Sequence, residues 1–143
     1  MSKENKTISR RFYEEVFSRG NLAVADELLA ANCVDHNPPG PGFPPGREGV
    51  KQVIMMFRSA FPDLQFTVED QIAEGEKVVS RLIVRGTHQG ELMGIPATGK
   101  KVTIGLVDIL RMQDGKIVER WGQADLLGMM QQLGVAETVG QAR

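Results

Sequence analysis

The stretch "VTIGLVDILRMQDGKIVERWGQAD", residues 102–125, decides the fold. Two runs of alternating apolar and polar residues flank Asp114-Gly115, a dipeptide typical of a tight β-hairpin turn. With a two-residue turn, the pairing places Asp108 opposite Trp121. Side chains directly opposite each other in an antiparallel pair lie on the same face of the sheet. We therefore expect a hairpin with an apolar face that also carries carboxylates, an amide and an indole.

The shared face of this hairpin predicts a binding pocket. Its residues are Ile104, Leu106, Asp108 and Leu110 from the first strand, and Trp121, Gln123 and Asp125 from the second. An apolar cavity with a few polar groups is the usual composition of a small-molecule site. A single-residue bulge in either strand would break this pairing. Three simpler interpretations stand beside it: Asp125 caps the next helix, Asp108 points to solvent, and Trp121 packs in a core or interface.

The rest of the chain places helices first and strands later. Apolar spacing predicts helices over 5–19, 22–30 and 50–61 and strands over 64–70 and 76–88. A loop rich in proline and glycine, residues 37–49, precedes the third helix. No helix separates the later strands, so the sheet is expected to be antiparallel. The chain is therefore predicted to be one α+β domain, residues 1–143, with helices on one face of a curved antiparallel sheet.

Composition excludes several classes of function. The formal net charge is −1, with 17 basic and 18 acidic side chains and no basic block, so we expect no nucleic-acid partner. No apolar run approaches the ~20 residues that span a bilayer, and the first residues lack the apolar region of a signal peptide. The single cysteine, Cys33, fits a reducing compartment. We expect a cytoplasmic protein with no membrane partner.

The sequence favours acid–base chemistry, because the motifs of other catalytic classes are absent from it. The sequence contains no metal-ligand spacing, phosphate-binding loop, dinucleotide fingerprint or nucleophile elbow, so no metal and no cofactor are expected. His36 and His88 border the two irregular stretches, and each is a candidate acid or base because histidine titrates near neutral pH. A lone loop histidine is more often a surface residue, and that interpretation stays open for both.

Four segments together resemble a known family. They are "VDHNPPG" (34–40), "RGTHQGELMGIPATGKKV" (85–102), "DILRMQDGKIVERWGQAD" (108–125) and "LLGMMQQLG" (126–134). The sequence resembles the SnoaL-like polyketide cyclases, also called ester cyclases, of the nuclear-transport-factor-two-like superfamily. The resemblance implies a cone-shaped α+β barrel closed by the N-terminal helices, and a homodimer paired through the sheet. It also implies acid–base chemistry without metal or cofactor, either aldol ring closure or isomerisation, on a hydrophobic, polyketide-like carbonyl compound.

The resemblance also assigns roles within the predicted pocket. A carboxylate would act as general base, with Asp125 as the first candidate and Asp108 as the second. His36 and His88 would donate to the enolate oxygen or shuttle protons. Asn37 and Gln123 would orient the substrate, and Trp121, Phe12, Phe57 and Leu106 would form apolar walls.

The chain departs from the family pattern around its tryptophan. Many relatives carry histidine before it and aspartate directly after it, where this chain has Arg120 and Gly122. If the catalytic aspartate of the cyclases aligns with Gly122, the base is absent; if it aligns with Asp125, the base is present. Two alternatives stay open: an enzyme like an epoxide hydrolase, and a non-catalytic module that binds a small hydrophobic ligand. Epoxide hydrolysis is the less favoured alternative, because the only tyrosine that could help to hold the attacking water, Tyr13, lies on the flank of its helix's apolar stripe.

Overall fold

A computed structural model describes residues 2–136 of the chain. The helices are α1 (Ser2–Arg11), continued by a π-helical segment (Phe12–Ser18), then α2 (Leu22–Leu28), α3 (Gly46–Ala60) and α4 (Leu126–Leu133). The strands are β1 (Leu29–Asp35), β2 (Gln65–Glu74), β3 (Lys77–Thr87), β4 (Lys101–Gln113) and β5 (Lys116–Ala124). They form one curved, open sheet in the order β1-β5-β4-β3-β2. The predicted α+β class, with helices against one face of a curved sheet, is confirmed.

The β4–β5 hairpin forms at the predicted turn, but its pairing shifts. Asp114 and Gly115 have φ angles of 52° and 75°, which a two-residue turn of this kind requires. Further along, Val118 is an extra residue in β5, because Met112 pairs with Ile117 whereas Arg111 pairs with Glu119. This β-bulge moves every later residue of β5 by one position.

The bulge makes the predicted pairing of Asp108 with Trp121 wrong. Asp108 lies opposite Gly122, and Trp121 lies opposite Ile109. Since side chains alternate between the two faces of a strand, Arg120 shares the inner, buried face with Asp108. The indole of Trp121 belongs to the outer face of the sheet.

The N-terminal helix changes its winding part-way along. The sequence predicts one regular helix over 5–19, whereas the structure has a π-helical segment from Phe12 to Ser18. Its wider turns bring neighbouring residues to the same side. As a result Phe12, Tyr13 and Val16 are all buried, and Tyr13, expected on the flank, is completely enclosed.

The first strand follows α2 without a break. Asn21 caps α2, accepting a hydrogen bond from the Val24 N–H at 3.3 Å. The chain then enters β1, which pairs with β5 in parallel and places Asp35 beside Arg120. Small residues dominate β1, so its sequence shows no clear alternation. The sheet is therefore mixed, not antiparallel throughout as predicted.

Two further observations complete the fold. Gly134 ends α4 in the left-handed region, with φ of 80°. Among residues 2–136, no helix has the length and apolar character needed to cross a membrane.

Candidate active site

A cavity of about 400 Å³ lies between the inner face of the sheet and the helices. Most of its wall is apolar. Five of the six phenylalanines of the chain line it: Phe12, Phe17, Phe57, Phe61 and Phe66. Leu106 also lines it, so three of the four predicted wall residues do so: Phe12, Phe57 and Leu106. The size and composition are those of a small-molecule site.

Three charged side chains from three neighbouring strands meet in this cavity. Arg120 on β5 donates from Nη2 to Asp108 Oδ1 on β4 at 2.9 Å. Its Nη1 donates to Asp35 Oδ1 and Oδ2 on β1 at 3.0 and 3.1 Å. The Tyr13 hydroxyl donates to the second carboxylate oxygen of Asp108 at 3.1 Å. Each oxygen of the Asp108 carboxylate, only 2% exposed, therefore has one protein donor.

Gly122 makes room for this cluster. A β-carbon at position 122 would overlap Asp108 Oδ1 and Arg120 Nη2. The Gly122 N–H donates to Asn37 Oδ1 at 3.0 Å, which holds the Asn37 amide at the cavity wall. A carboxylate therefore does lie at this point of the cavity, although it comes from Asp108 on the paired strand.

Burial and charge determine the protonation of the cluster. Burial raises the pKa of Asp108, although Arg120 and the Tyr13 hydroxyl act in the opposite direction. Burial and the Asp108 charge raise the pKa of Tyr13 well above its usual range, so Tyr13 is a neutral donor. Burial opposes the charge of Arg120, but the two carboxylates raise its pKa, so it stays a cation. The Asp108 carboxyl is thus shifted toward the range useful for proton transfer near neutral pH.

Asp125 lies outside this cluster. Its carboxylate caps α4, accepting a hydrogen bond from the Gly128 N–H at 2.8 Å, and its side chain is exposed. The interpretation of Asp125 as an N-cap is therefore confirmed. Its neighbours Ala124 and Leu126 line the cavity, whereas Asp125 is not among the lining residues.

His36 lies at the cavity wall and contacts Trp121 behind it. The two rings stack with their centroids 4.8 Å apart at 6°. His36 Nε2 is 2.8 Å from Glu119 Oε2, and Lys77 Nζ lies 5.2 Å from the centroid of the indole. Trp121 therefore supports His36 from the outer face and does not form a cavity wall. Gln123, another predicted contact, is a lining residue.

His88 holds a loop together at some distance from the charged cluster. Its side chain is fully buried and is not among the cavity-lining residues. Its Nδ1 accepts from the Thr98 N–H at 3.3 Å, and its backbone N–H donates to the Lys100 carbonyl at 2.8 Å. The ring centroid is 5.6 Å from that of Phe61, which does line the cavity.

Sequence reasoning missed three members of the cluster: Asp35, Arg120 and the Tyr13 hydroxyl. The available sequence signal was the spacing of Asp35 and Asn37. Residues two apart in an extended strand lie on the same face, so both side chains could have been placed together. Arg120 would have been assigned to the inner face with Asp108 only if a bulge had been placed in β5. Within residues 2–136, no group of three or more histidine, cysteine or acidic side chains is arranged to hold a metal ion.

The family model for SnoaL-like polyketide cyclases matches residues 7–133. The chain belongs to this family. It is 32% identical over 111 residues to the aklanonic acid methyl ester cyclase DnrD of Streptomyces peucetius, covering 76% of this chain and 72% of that protein. It is 28% identical over 119 residues to the nogalonic acid methyl ester cyclase of Streptomyces nogalater, covering 82% and 89%.

Solved structures agree with membership of the SnoaL-like family. TsrD from Streptomyces laurentii matches with a TM-score of 0.85 and 30% identity, over 94% of this chain and 97% of that one. Wild-type IdmH from Streptomyces antibioticus matches with a TM-score of 0.79 and 37% identity, over 92% and 99%. The predicted family is therefore confirmed.

Proposed function

We propose that the protein closes a ring in a hydrophobic polyketide-like ester by aldol condensation, with Asp108 as general base. The buried position of Asp108 in the cavity, paired with Arg120, carries this proposal. Removing a proton next to a carbonyl requires a base of suitable pKa, donors for the enolate oxygen, and exclusion of water. The phenylalanine-lined wall supplies the dry environment, and the charged cluster supplies the base.

The reaction moves one proton twice, first from the α-carbon to Asp108 and then from Asp108 to the alkoxide. Asp108 takes the α-proton, and the electron pair of the C–H bond forms the enolate. The enolate carbon attacks a ketone carbon of the same molecule, which forms the new C–C bond and leaves an alkoxide. The protonated Asp108 then returns the proton to the alkoxide, which restores the carboxylate. Arg120 and the Asn37 amide, whose Oδ1 is engaged by Gly122 N–H, are the donors available to the enolate oxygen.

The charge balance of the cavity favours an ester over a free acid. Arg120 is the one permanently charged cation among the lining residues, and it already pairs with Asp35 and Asp108. A substrate carboxylate would enter a site with two acidic side chains and no unpaired guanidinium. Burying an unpaired charge is costly. The DnrD and Streptomyces nogalater relatives are likewise named for methyl esters.

Hydrogen exchange tests the proposed enolisation. In D₂O, an aromatic polyketide methyl ester that lacks the acceptor ketone should gain deuterium at its α-carbon in the presence of the protein. The corresponding free acid should react with a kcat/KM at least about tenfold lower, equivalent to roughly 1.4 kcal/mol of discrimination. Equal reaction of acid and ester would contradict the substrate class. Absence of exchange with both, despite binding, would contradict the enzymatic function and leave the binding module.

Epoxide hydrolysis is a second candidate, and the Tyr13–Asp108 hydrogen bond favours it. The Tyr13 hydroxyl lies at the Asp108 carboxylate. From the sequence, no tyrosine was expected near the carboxylate, which had made hydrolysis the less favoured alternative. Asp108 would then take a proton from water as the water oxygen attacks an epoxide carbon, and the opened oxygen would receive that proton. An epoxide converted with ¹⁸O from water, without deuterium exchange into the ester, would identify this chemistry.

The outer face of the sheet supports a homodimer. Val107 is 44% exposed there, beside half-buried Ile109 and Trp121. An exposed apolar strip on a sheet face is typical of an interface between subunits. We expect the protein to sediment at twice its mass of 15.7 kDa, and Val107→Glu to shift it toward the monomer. A wild-type protein that sediments as a monomer would refute the dimer.

A further inference from the structure

We propose that Tyr13, Ser80 and Gln71 form a directed hydrogen-bond chain that holds Asp108 in its charged form, with Tyr13 as a positioning residue. This hydrogen-bond chain runs from β2 through β3 and the π-helical segment to Asp108 on β4. Its value for catalysis rests on the proposed role of Asp108 as base. The hydrogen-bond chain itself can be tested without any substrate.

The Gln71 amide fixes the direction of the chain. Its Nε2 donates to the Lys6 carbonyl at 3.2 Å and to Ser80 Oγ at 3.2 Å. A carbonyl oxygen only accepts, so the group facing Lys6 must be the amide NH₂. Ser80 Oγ therefore accepts from Gln71, and its own hydrogen is free to point toward the Tyr13 oxygen. Ser80 lies directly opposite Asp108 in the β3–β4 pairing, and its hydroxyl acts to lower the pKa of Tyr13. Tyr13 in turn donates to Asp108.

Burial removes competition from water. Tyr13 and Ser80 are both fully buried, and Asp108 is 2% exposed. Each hydroxyl therefore finds its hydrogen-bond partners within the protein. A donor fixed toward a carboxylate stabilises the charged form. The other charged groups that face Asp108 are Arg120 from β5 and Asp35 from β1.

A second β-bulge, in β2, places the Gln71 amide at the start of the hydrogen-bond chain. In β2, Val68 pairs with Leu82 but Asp70 pairs with Arg81, so Glu69 is an extra residue. Because of this bulge, Gln71 lies opposite Ser80. Without it, Asp70 would take that position. A carboxylate there would accept from the Ser80 hydroxyl, reverse the chain, and add negative charge beside Asp108.

Titration of the Asp108 carboxyl tests the chain directly. With ¹³C-labelled aspartate, and Asp108→Asn used to assign its signal, Tyr13→Phe should raise the pKa of Asp108. Ser80→Ala should raise it less. Ser9→Ala is the matched control, because Ser9 also carries a buried hydroxyl on the N-terminal helix, one without a hydrogen-bond partner. That variant should leave the titration of Asp108 unchanged.

The pH profile supplies the catalytic readout. A raised pKa leaves less carboxylate at acidic pH, so kcat/KM of Tyr13→Phe should fall about tenfold on the acid limb and recover at higher pH. Both variants should keep the wild-type circular dichroism spectrum. If Asp108 titrates as in wild type in Tyr13→Phe and in Ser80→Ala, the directed chain is refuted. If its pKa moves but Asp108→Asn stays active, the chain stands and the proposed function fails.

Discussion

Replacing Asp108 with asparagine should lower kcat for the ester by about 10²–10⁴-fold, the usual contribution of a general base. Asparagine keeps the size of the side chain, its single oxygen can still accept from Arg120, and its amide NH₂ can donate to the Tyr13 oxygen. It cannot take the α-proton. Steady-state turnover and deuterium exchange into the ester should both be lost, whereas ligand affinity should change little.

Asp125→Asn is the matched control for the loss of a carboxylate. Asparagine caps helices about as well as aspartate, so the stability of α4 should be retained. Because Asp125 is exposed and lies outside the cavity lining, turnover should stay near the wild-type value. The reverse outcome, an active Asp108→Asn and an inactive Asp125→Asn, would assign the base to Asp125.

Arg120→Met should lower the free energy of unfolding by about 3 kcal/mol near neutral pH, as expected when one partner of a buried ion pair is removed. Asp108 and Asp35 would then face each other without a cation. The Arg120 side chain is 23% exposed, which favours the lower end of the usual range for such pairs. Urea unfolding followed by circular dichroism measures the loss.

The two carboxylates determine how the stability loss of Arg120→Met depends on pH. Burial already raises the pKa of Asp108, and loss of Arg120 would raise it further. A folded-state pKa above the unfolded value adds stability at low pH, and that stability is lost as pH rises through the folded pKa. The deficit of Arg120→Met should therefore be small in acid and grow toward neutral pH.

Two further variants distinguish charge from packing. Asp108→Asn combined with Arg120→Met should recover part of the loss, because one buried charge is gone. Arg111→Met removes a similar side chain whose ion pairs with Glu119 and Glu76 lie on the outer face. It should cost less than about 1 kcal/mol. Equal losses for Arg111→Met and Arg120→Met would refute a special role for the buried cluster.

The features with strong local signals were predictable. Asp114-Gly115 specified the hairpin, and Asp125 was identified as a candidate cap of the helix that follows it. Apolar spacing indicated the helices over 5–19 and 50–61, and the family resemblance placed Phe12 and Phe57 in the cavity wall. In each case the signal is a turn preference, a cap or a periodicity, which neighbouring residues determine among themselves.

The features that assemble the charged cluster were not predictable. The segment from Lys116 to Ala124 alternates acceptably in either register, so nothing local marks Val118 as an extra residue. The π-helical winding that buries Tyr13 depends on packing against the sheet. The parallel pairing of β1 that brings Asp35 to Arg120 is a long-range contact. Asp108 was identified, but its partners depend on these three features.

The two bulges have a consequence for how such a chamber can diversify. Glu69 and Val118 are single extra residues, and each decides which of two alternating sets of side chains faces the lumen. If β5 paired regularly with Val118 opposite Arg111, the indole and Glu119 would face inward and the guanidinium would face outward. A change of strand pairing by one position can thus exchange the chemistry of the interior, with the turns and helices left in place.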